Sequence, residues 1–205
     1  MTAAAIEKLT MKPINLQNSD TDQDILIKEA CSDSAAFAQL YRLHYDNIFR
    51  YCARRLFNRH AAEDVTSIVF FKAMRTIVSF KGNSKDFRNW LYRIATNAVK
   101  DHLRTAKRRA DAIRNIALVH GSDHTLDSES DTEHQEEMLP VKRALLTLNP
   151  KQQTVITLRF FEKMKLTAIA EILGQNPATT RSQLSRALSS LRKQLEASVG
   201  HGREA

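Results

Sequence analysis

Residues 166–195 constrain the fold of this chain more tightly than any other stretch. Leu166–Leu173 (LTAIAEIL) is short and apolar, and Gly174 breaks it. Asn176 and Pro177 then supply a helix cap and a first-turn proline. Residues 178–196 run on as one helix, with Leu184, Leu188, Leu191 and Leu195 spaced to form a single apolar stripe. Arg181, Ser182, Ser185, Arg186, Arg192 and Lys193 lie opposite the stripe, and no acid interrupts them before Glu196. Two helices about a glycine turn, the second apolar on one face and cationic on the other, make a helix-turn-helix suited to lying along phosphate. A solvated surface helix is also charged, but it requires neither the glycine turn nor the absence of acids.

The rest of the composition agrees with helices. Five glycines and four prolines in 205 residues are too few for a chain of many tight turns, so the fold class expected is all-α. A net charge of +8 suits a polyanionic partner without identifying one. No apolar run approaches the roughly 18 residues of a membrane span, and the N-terminus lacks a signal-peptide core. A cytoplasmic protein with no membrane partner is therefore expected. Cys31 and Cys52 form no C-x-x-C pair, and Cys31, His44 and Cys52 lack metal-ligand spacing, so both thiols are expected on buried helix faces. Nothing resembles a phosphate-binding glycine loop or a nucleophile elbow. No enzymatic activity, cofactor or small-molecule substrate is expected.

Along the chain, residues 1–21 lack periodicity and read as a loose extension. A helical module follows over residues 22–110. In it, Ser34 is expected to cap a helix carrying Phe37, Leu40, Tyr41, His44, Ile48, Tyr51 and Cys52 on one side. A second helix is expected over residues 61–78, a loop over 80–86 (FKGNSKD), and a third helix over 87–106. The run GSDHTLDSESDTEHQEE then holds seven acids, no Lys or Arg and one large aliphatic residue, which marks residues 111–138 as a disordered acidic linker. Residues 139–148 and 150–161 are expected as two helices ahead of the helix-turn-helix, in a second module over 139–197 followed by a tail at 198–205. The reading is two small helical modules on an acidic tether.

The third helix of the first module is itself informative. Arg88, Arg93, Lys100, Arg104, Lys107, Arg108 and Arg109 are strung along it, with Asn89, Trp90, Tyr92, Asn97 and His102 interleaved. Cations follow a nucleic-acid backbone, and aromatics and amides stack on or hydrogen-bond to unpaired bases. Phe87 and Trp90, three apart, are expected in the core, which still leaves the cations and Asn97 outside.

Two segments carry a family resemblance. AEDVTSIVFFKAMRTIVSF…DFRNWLYRIATNAVKDHLR (residues 62–104) resembles region 2 of the extracytoplasmic-function sigma factors. LPVKRALLTLNPKQQTVITLRFF…IAEILGQNPATTRSQLSRALSSLRKQL (residues 139–195) resembles their region 4. The resemblance implies a transcription initiation factor whose partners are core RNA polymerase and promoter DNA. It implies that the 80–86 loop holds an extruded −10 base, and that Asn83, Arg88, Asn89, Arg93, Asn97, Lys100 and Arg104 line the melted strand. Thr179, Thr180, Arg181, Ser182, Ser185 and Arg186 would enter the −35 major groove, and the linker would thread the polymerase RNA channel. Residues 111–139 extend to roughly 95 Å, against roughly 60 Å of duplex between the two elements.

The chain also departs from its family. Where relatives read D-L-V-Q-E-T-F, with an acid facing the polymerase clamp, this chain reads Asp64-Val65-Thr66-Ser67-Ile68-Val69-Phe70. A helical wheel buries Val65, Val69, Phe70 and Ala73, turns Asp64, Ser67, Ile68, Phe71 and Lys72 outward as the polymerase-binding set, and leaves Thr66 at the border. Either Ile68 is drift and the contact is apolar, or phosphate on Thr66 or Ser67 restores the missing charge. The family thus implies two kinds of regulator, a Ser/Thr kinase and an anti-sigma factor. Ala168, Thr180 and Gln183 depart from common family residues as well. Two rival functions stay open at this point: a dimeric helix-turn-helix regulator of duplex DNA, and an RNA-binding adaptor.

Overall fold

The computed structural model describes residues 20–120 and 139–200; residues 1–19 of the expected extension, 121–138 of the expected 111–138 linker and the last five tail residues lie outside the described residues, whereas residues 20–21 and 111–120, expected as extension and linker, are helical. Every described element is helical. The first module contains α1 (Asp20–Glu29), α2 (Ser34–Leu56), α3 (Arg59–Thr76) with a short 3-10 turn (Ile77–Ser79), and α4 (Ser84–His120). The second contains α5 (Leu139–Leu146), α6 (Pro150–Ile156), a wide turn (Thr157–Phe161), α7 (Leu166–Leu173) and α8 (Pro177–Gly200).

Local chemistry sets the boundaries. The cap of α2 is Asp33, whose carboxylate accepts from the Ala35 amide at 2.8 Å, so Ser34 is the first helical residue and not the cap. α2 closes on Phe57 in the left-handed region, and Asn58 at once caps α3 by accepting from the Ala61 amide at 2.8 Å. The helix expected over 87–106 is longer at both ends. At its start Asn83 and Asp86 exchange backbone-to-side-chain hydrogen bonds of 3.0 and 3.2 Å, a capping box that shortens the 80–86 loop. Gly82 precedes it with φ 159°, where an added Cβ would sit 2.7 Å from Asp86 Cβ. At its far end Ala, Arg and Leu carry the helix past residue 110 to His120 with no breaker before Gly121.

The second module departs from the sequence pattern once. Asn149, Pro150 and Gln152 form a complete capping box with a first-turn proline. The expected helix over 150–161 then widens, and the Glu162 amide donates to Thr157 O at 3.2 Å, one residue further back than an α-helix allows. The helix-turn-helix is as read: Gly174 takes φ 61° and Asn176 accepts from the Ala178 amide at 2.8 Å. A Cβ on Gly174 would meet nothing within 4 Å, so the backbone angle alone calls for glycine. The leucine stripe needs correction. Leu188 is 42% exposed, whereas Thr180 and Ala187 are fully buried, with Leu184 and Leu191 half-buried beside them. The small residues set the buried face because α8 packs closely on α6 and α7.

The wheel reading of α3 agrees with the structure except at Thr66. Val65, Val69, Phe70 and Ala73 are buried, and Asp64, Ser67, Ile68, Phe71 and Lys72 are exposed. Thr66 is wholly buried, not at a border: its hydroxyl donates to Ala62 O at 2.7 Å. Leu91, Tyr92, Ala95 and Val99 of α4 complete the core with Tyr51 and Cys52 of α2. Tyr41, expected on this inner side, is 38% exposed and edges onto Phe70.

The modules do not stand apart on their tether. Val155, Leu158, Met164, Ile169 and Ile172 of the second module belong to the same apolar cluster as the core of the first. α7 packs along α4, and the wide turn packs on α2. Arg55, buried on α2, donates to Gln153 Oε1 and to Pro150 O across the boundary.

This shared core predicts coupled stability. Ile169 is fully buried, so Ile169→Ala leaves a cavity costing about 2–5 kcal/mol. The loss is expected in the denaturant transition followed by the fluorescence of Trp90, the single tryptophan, which lies in the other module. An unchanged Trp90 transition would show modules that unfold independently.

A second prediction concerns acid. His44 packs 5.5 Å from the Phe87 ring, and burial, then the nearby Arg88 charge, lowers its pKa to about 4. The unfolded chain takes up this proton near pH 6.5 and the folded chain only near 4. The neutral-histidine contribution is therefore complete above about pH 6.5 and is lost as pH falls toward 4. His44→Gln is expected to flatten stability measured across that window.

Candidate nucleic-acid and polymerase interface

The second module presents one cationic face. Thr179, Arg181, Ser182, Ser185 and Arg186 are all exposed on the first turns of α8, immediately after the Asn176 cap. Thr180 is not among them. It is fully buried, and its hydroxyl lies 3.0 Å from Gln175 Nε2, which also donates to Gln183 Oε1 at 3.1 Å. Gln183 Nε2 donates back to Gln175 Oε1 at 3.2 Å. The two departures Thr180 and Gln183 therefore bind the turn to the recognition helix and fix its angle. The sequence pattern counted Thr180 as a surface hydroxyl because its amide partner, Gln175, lies across the turn.

In the first module, Phe80, Phe87 and Trp90 pack with ring centroids 5.2 to 5.5 Å apart. Phe87 is in the core as expected, but Trp90 is only half-buried. Its ring lines a cleft with Phe80, Lys81, Asp86, Asn89, Arg93 and, from α7, Glu171. The cleft joins an aromatic wall to amide and guanidinium donors, the groups that hold an unstacked base. Asn83 does not line the cleft, and its side-chain oxygen is engaged in the α4 cap. Asn97, Lys100 and Arg104 lie further along α4 on an exposed face. Arg104 meets Asp101 there at 3.2 Å, an exposed pair of little energetic weight.

The remaining cations of the expected strand path meet the second module. Arg93 donates to Glu171 O at 2.7 Å, and Asn89 donates to the Glu171 carboxylate at 3.4 Å. Arg88 donates to Glu162 O at 2.8 Å. The Glu162 carboxylate, 6% exposed, pairs with Arg54 at 3.0 Å and accepts from the Tyr92 hydroxyl. Burial first, and then the Glu162 charge, holds the Tyr92 phenol far above its usual range, so Tyr92 remains a donor. Arg54 also lies 4.9 Å over the Phe161 ring. Sequence reading missed Arg54, Glu162 and Glu171. The bonds to Glu162 join residues 70 to 108 positions apart, so no local spacing announces them.

A third face lies on α3. Ile68 is 45% and Phe71 56% exposed beside Asp64, Ser67 and Lys72, and Met74 and Val78 extend the apolar stripe. Met74 and Val78 were not in the expected set, although their helical spacing from Phe71 would have shown them. A groove between α3 and α4, lined by Val65, Ile68, Ala98, His102 and Ile113, runs beside the stripe. The Ser67 hydroxyl donates to Glu63 O at 3.0 Å and stays exposed. Among the described residues, no three His, Cys, Asp or Glu side chains gather as a metal-holding group, and no helix is long and apolar enough to cross a membrane.

Comparison with known proteins agrees with this geometry. Residues 40–109 match the Sigma-70 region 2 family and residues 138–191 the Sigma-70 region 4 family. The ECF RNA polymerase sigma factor SigW of Bacillus subtilis is 33% identical across 80% of this chain and 90% of its own length. The ECF sigma factor BldN of Streptomyces coelicolor is 27% identical across 90% of this chain and 69% of its own. Among solved structures, RpoE of Bartonella quintana, in complex with the anti-sigma factor NepR, shares the fold with TM-score 0.64 at 22% identity, covering 78% of this chain and 96% of that one. CnrH, in complex with the cytosolic domain of CnrY, shares it with TM-score 0.61 at 23% identity, covering 85% and 97%. With both regions matched in order, this chain belongs to the ECF sigma factors of RNA polymerase, the alternative factors that direct transcription initiation.

Proposed function

We propose that this sigma factor divides its promoter between residues 22–110 and 139–197, with Thr179, Arg181, Ser182, Ser185 and Arg186 on the −35 duplex and the α4 face on the melted −10 strand. The observation that carries the reading is the pairing of two unlike surfaces. One is a helix face of hydroxyls and cations suited to a groove; the other is an aromatic cleft with Asn89 and Arg93 at its mouth, suited to an unpaired base. Thr180 leaves the −35 set because it is buried. A repressor of duplex DNA makes no use of the second surface, and an RNA adaptor makes none of the first.

Transcription with purified core enzyme tests the reading. Arg181→Ala is expected to weaken promoter binding by about 1–3 kcal/mol if the guanidinium reads a base. Changing Asn97, Lys100 and Arg104 to alanine together is expected to spare closed-complex binding and reduce permanganate reactivity of the −10 thymines. Normal reactivity in that variant would remove these residues from the melted strand.

The α3 face supports a core-polymerase contact through Asp64, Ser67, Ile68, Phe71 and Lys72, and it favours one form of control. Thr66 is sealed behind its bond to Ala62 O, whereas Ser67 is open to a kinase. Phosphate on Ser67 restores about two negative charges beside Ile68 and forms charge-assisted bonds with a basic clamp surface. The complex of RpoE with the anti-sigma factor NepR supports the other regulator, an anti-sigma factor. Affinity for core enzyme separates the two. Phosphorylation control predicts weak binding by unmodified protein, a gain in Ser67→Glu, and lost promoter activity in cells carrying Ser67→Ala. Tight binding by the unmodified chain, with an inert Ser67→Ala, would leave sequestration.

A further inference from the structure

We infer that the free chain pairs with a second copy of itself through α3, the two helices lying antiparallel about a twofold axis. The exposed face of α3 has the symmetry that such a contact needs. At 3.6 residues per turn, Asp64, Ile68, Phe71 and Arg75 fall within about 60° of one another around the helix. Positions 64 and 75, and positions 68 and 71, are also placed evenly about the midpoint between Val69 and Phe70. Turning a second α3 end over end therefore sets Ile68 against Phe71 of the second copy, and Asp64 against Arg75 of the second copy. The same rotation repeats both contacts, so the patch is complementary to itself.

The side chains are available for it. Ile68 is 45% exposed and Phe71 56%, and Asp64 and Arg75 are exposed as well. Among the described residues, neither Asp64 nor Arg75 has an ion-pair partner. Arg75 lies 5.6 Å over the Phe71 ring of its own helix, which holds the guanidinium beside the apolar centre. An apolar centre alone would suit many partners. The acid at one end and the cation at the other, at matched distances, favour a second copy. The patch from Asp64 to Arg75 spans roughly 17 Å of helix, well short of a standard interface, so the pair is weak and dissolves on dilution. One consequence rests on the polymerase contact proposed above. Ile68 and Phe71 serve both surfaces, so a paired copy cannot bind core enzyme, and unbound factor stores itself as a dimer when it accumulates.

Sedimentation velocity on the full-length chain tests this from about 1 to about 200 μM, the range suited to so small a contact. The wild type is expected to move from monomer to dimer across that range. In the pair, Asp64→Arg sets cation against cation and Arg75→Glu sets acid against acid. Each variant alone is therefore expected to associate at least about tenfold more weakly. Mixed in equal amounts, the two variants match acid to cation at both ends and are expected to regain association. Both positions are exposed, so each variant is expected to melt like the wild type. A wild type that stays monomeric throughout, or a mixture no more associated than its components, would overturn the pairing and leave the polymerase contact untouched. Core enzyme added to the dimer is expected to take up single copies. A dimer that binds core enzyme intact would instead remove α3 from the polymerase contact and keep the pairing.

Discussion

The arrangement of this molecule turns on one carboxylate. Glu162 leaves the wide turn after α6 and is buried between Arg54 of α2 and Tyr92 of α4, while its own carbonyl receives Arg88. Removing one partner from a buried, hydrogen-bonded charge costs about 3–5 kcal/mol. The lower end applies here, because Arg54 is 32% exposed and keeps some water. The wide turn makes the contact feasible. The extra residue between Thr157 and Glu162 ends the helix with Glu162 near φ −95° and ψ 0°, and Lys163 follows in the left-handed region at φ 53°. The chain then re-enters α7 with Ile169 and Ile172 directed into the common core.

That anchorage leaves the two candidate nucleic-acid surfaces in different surroundings. The hydroxyls and cations of α8 face solvent from a helix whose pitch is fixed by the Gln175, Thr180 and Gln183 bonds. The aromatic cleft of the first module meets Glu171 instead. At the interface Arg54 pairs with the Glu162 carboxylate, whereas Arg88 and Arg93 reach the main-chain carbonyls of Glu162 and Glu171. The α3 stripe of Ile68, Phe71, Met74 and Val78 remains exposed beside Ser67. The α3 stripe and the cationic face of α8 are therefore open, while Asn89 and Arg93 of the α4 face lie against Glu171 and Asn97, Lys100 and Arg104 stay exposed.

Much of this was legible in the sequence because it is local. Asn149, Gly174 and Asn176 declare their turns through their own chemistry, and the spacing of Val65, Val69 and Ala73 declares a buried face. The α8 stripe was misplaced by one position. Thr180 and Ala187 look like surface residues by type, yet close helix packing favours small side chains there and turns Leu188 out. Thr66 and Ser67 are alike by type as well, and only the packing of α3 decides that Thr66 is buried and Ser67 exposed. Docking of the modules was illegible for a different reason. The acidic run suggested two bodies on a tether, and nothing in the spacing of Arg88, Arg93 or Glu171 shows that they meet across the boundary.

The central claim is that the two modules of the chain are packed together through one shared core. Energy transfer between dyes on Lys81→Cys, at the −10 cleft, and Thr167→Cys, on the exposed side of α7, measures this in a chain whose Cys31 and Cys52 are replaced. High transfer in the native protein, lost in the same denaturant transition that Trp90 reports, is the predicted result. Low transfer in the native protein would contradict it.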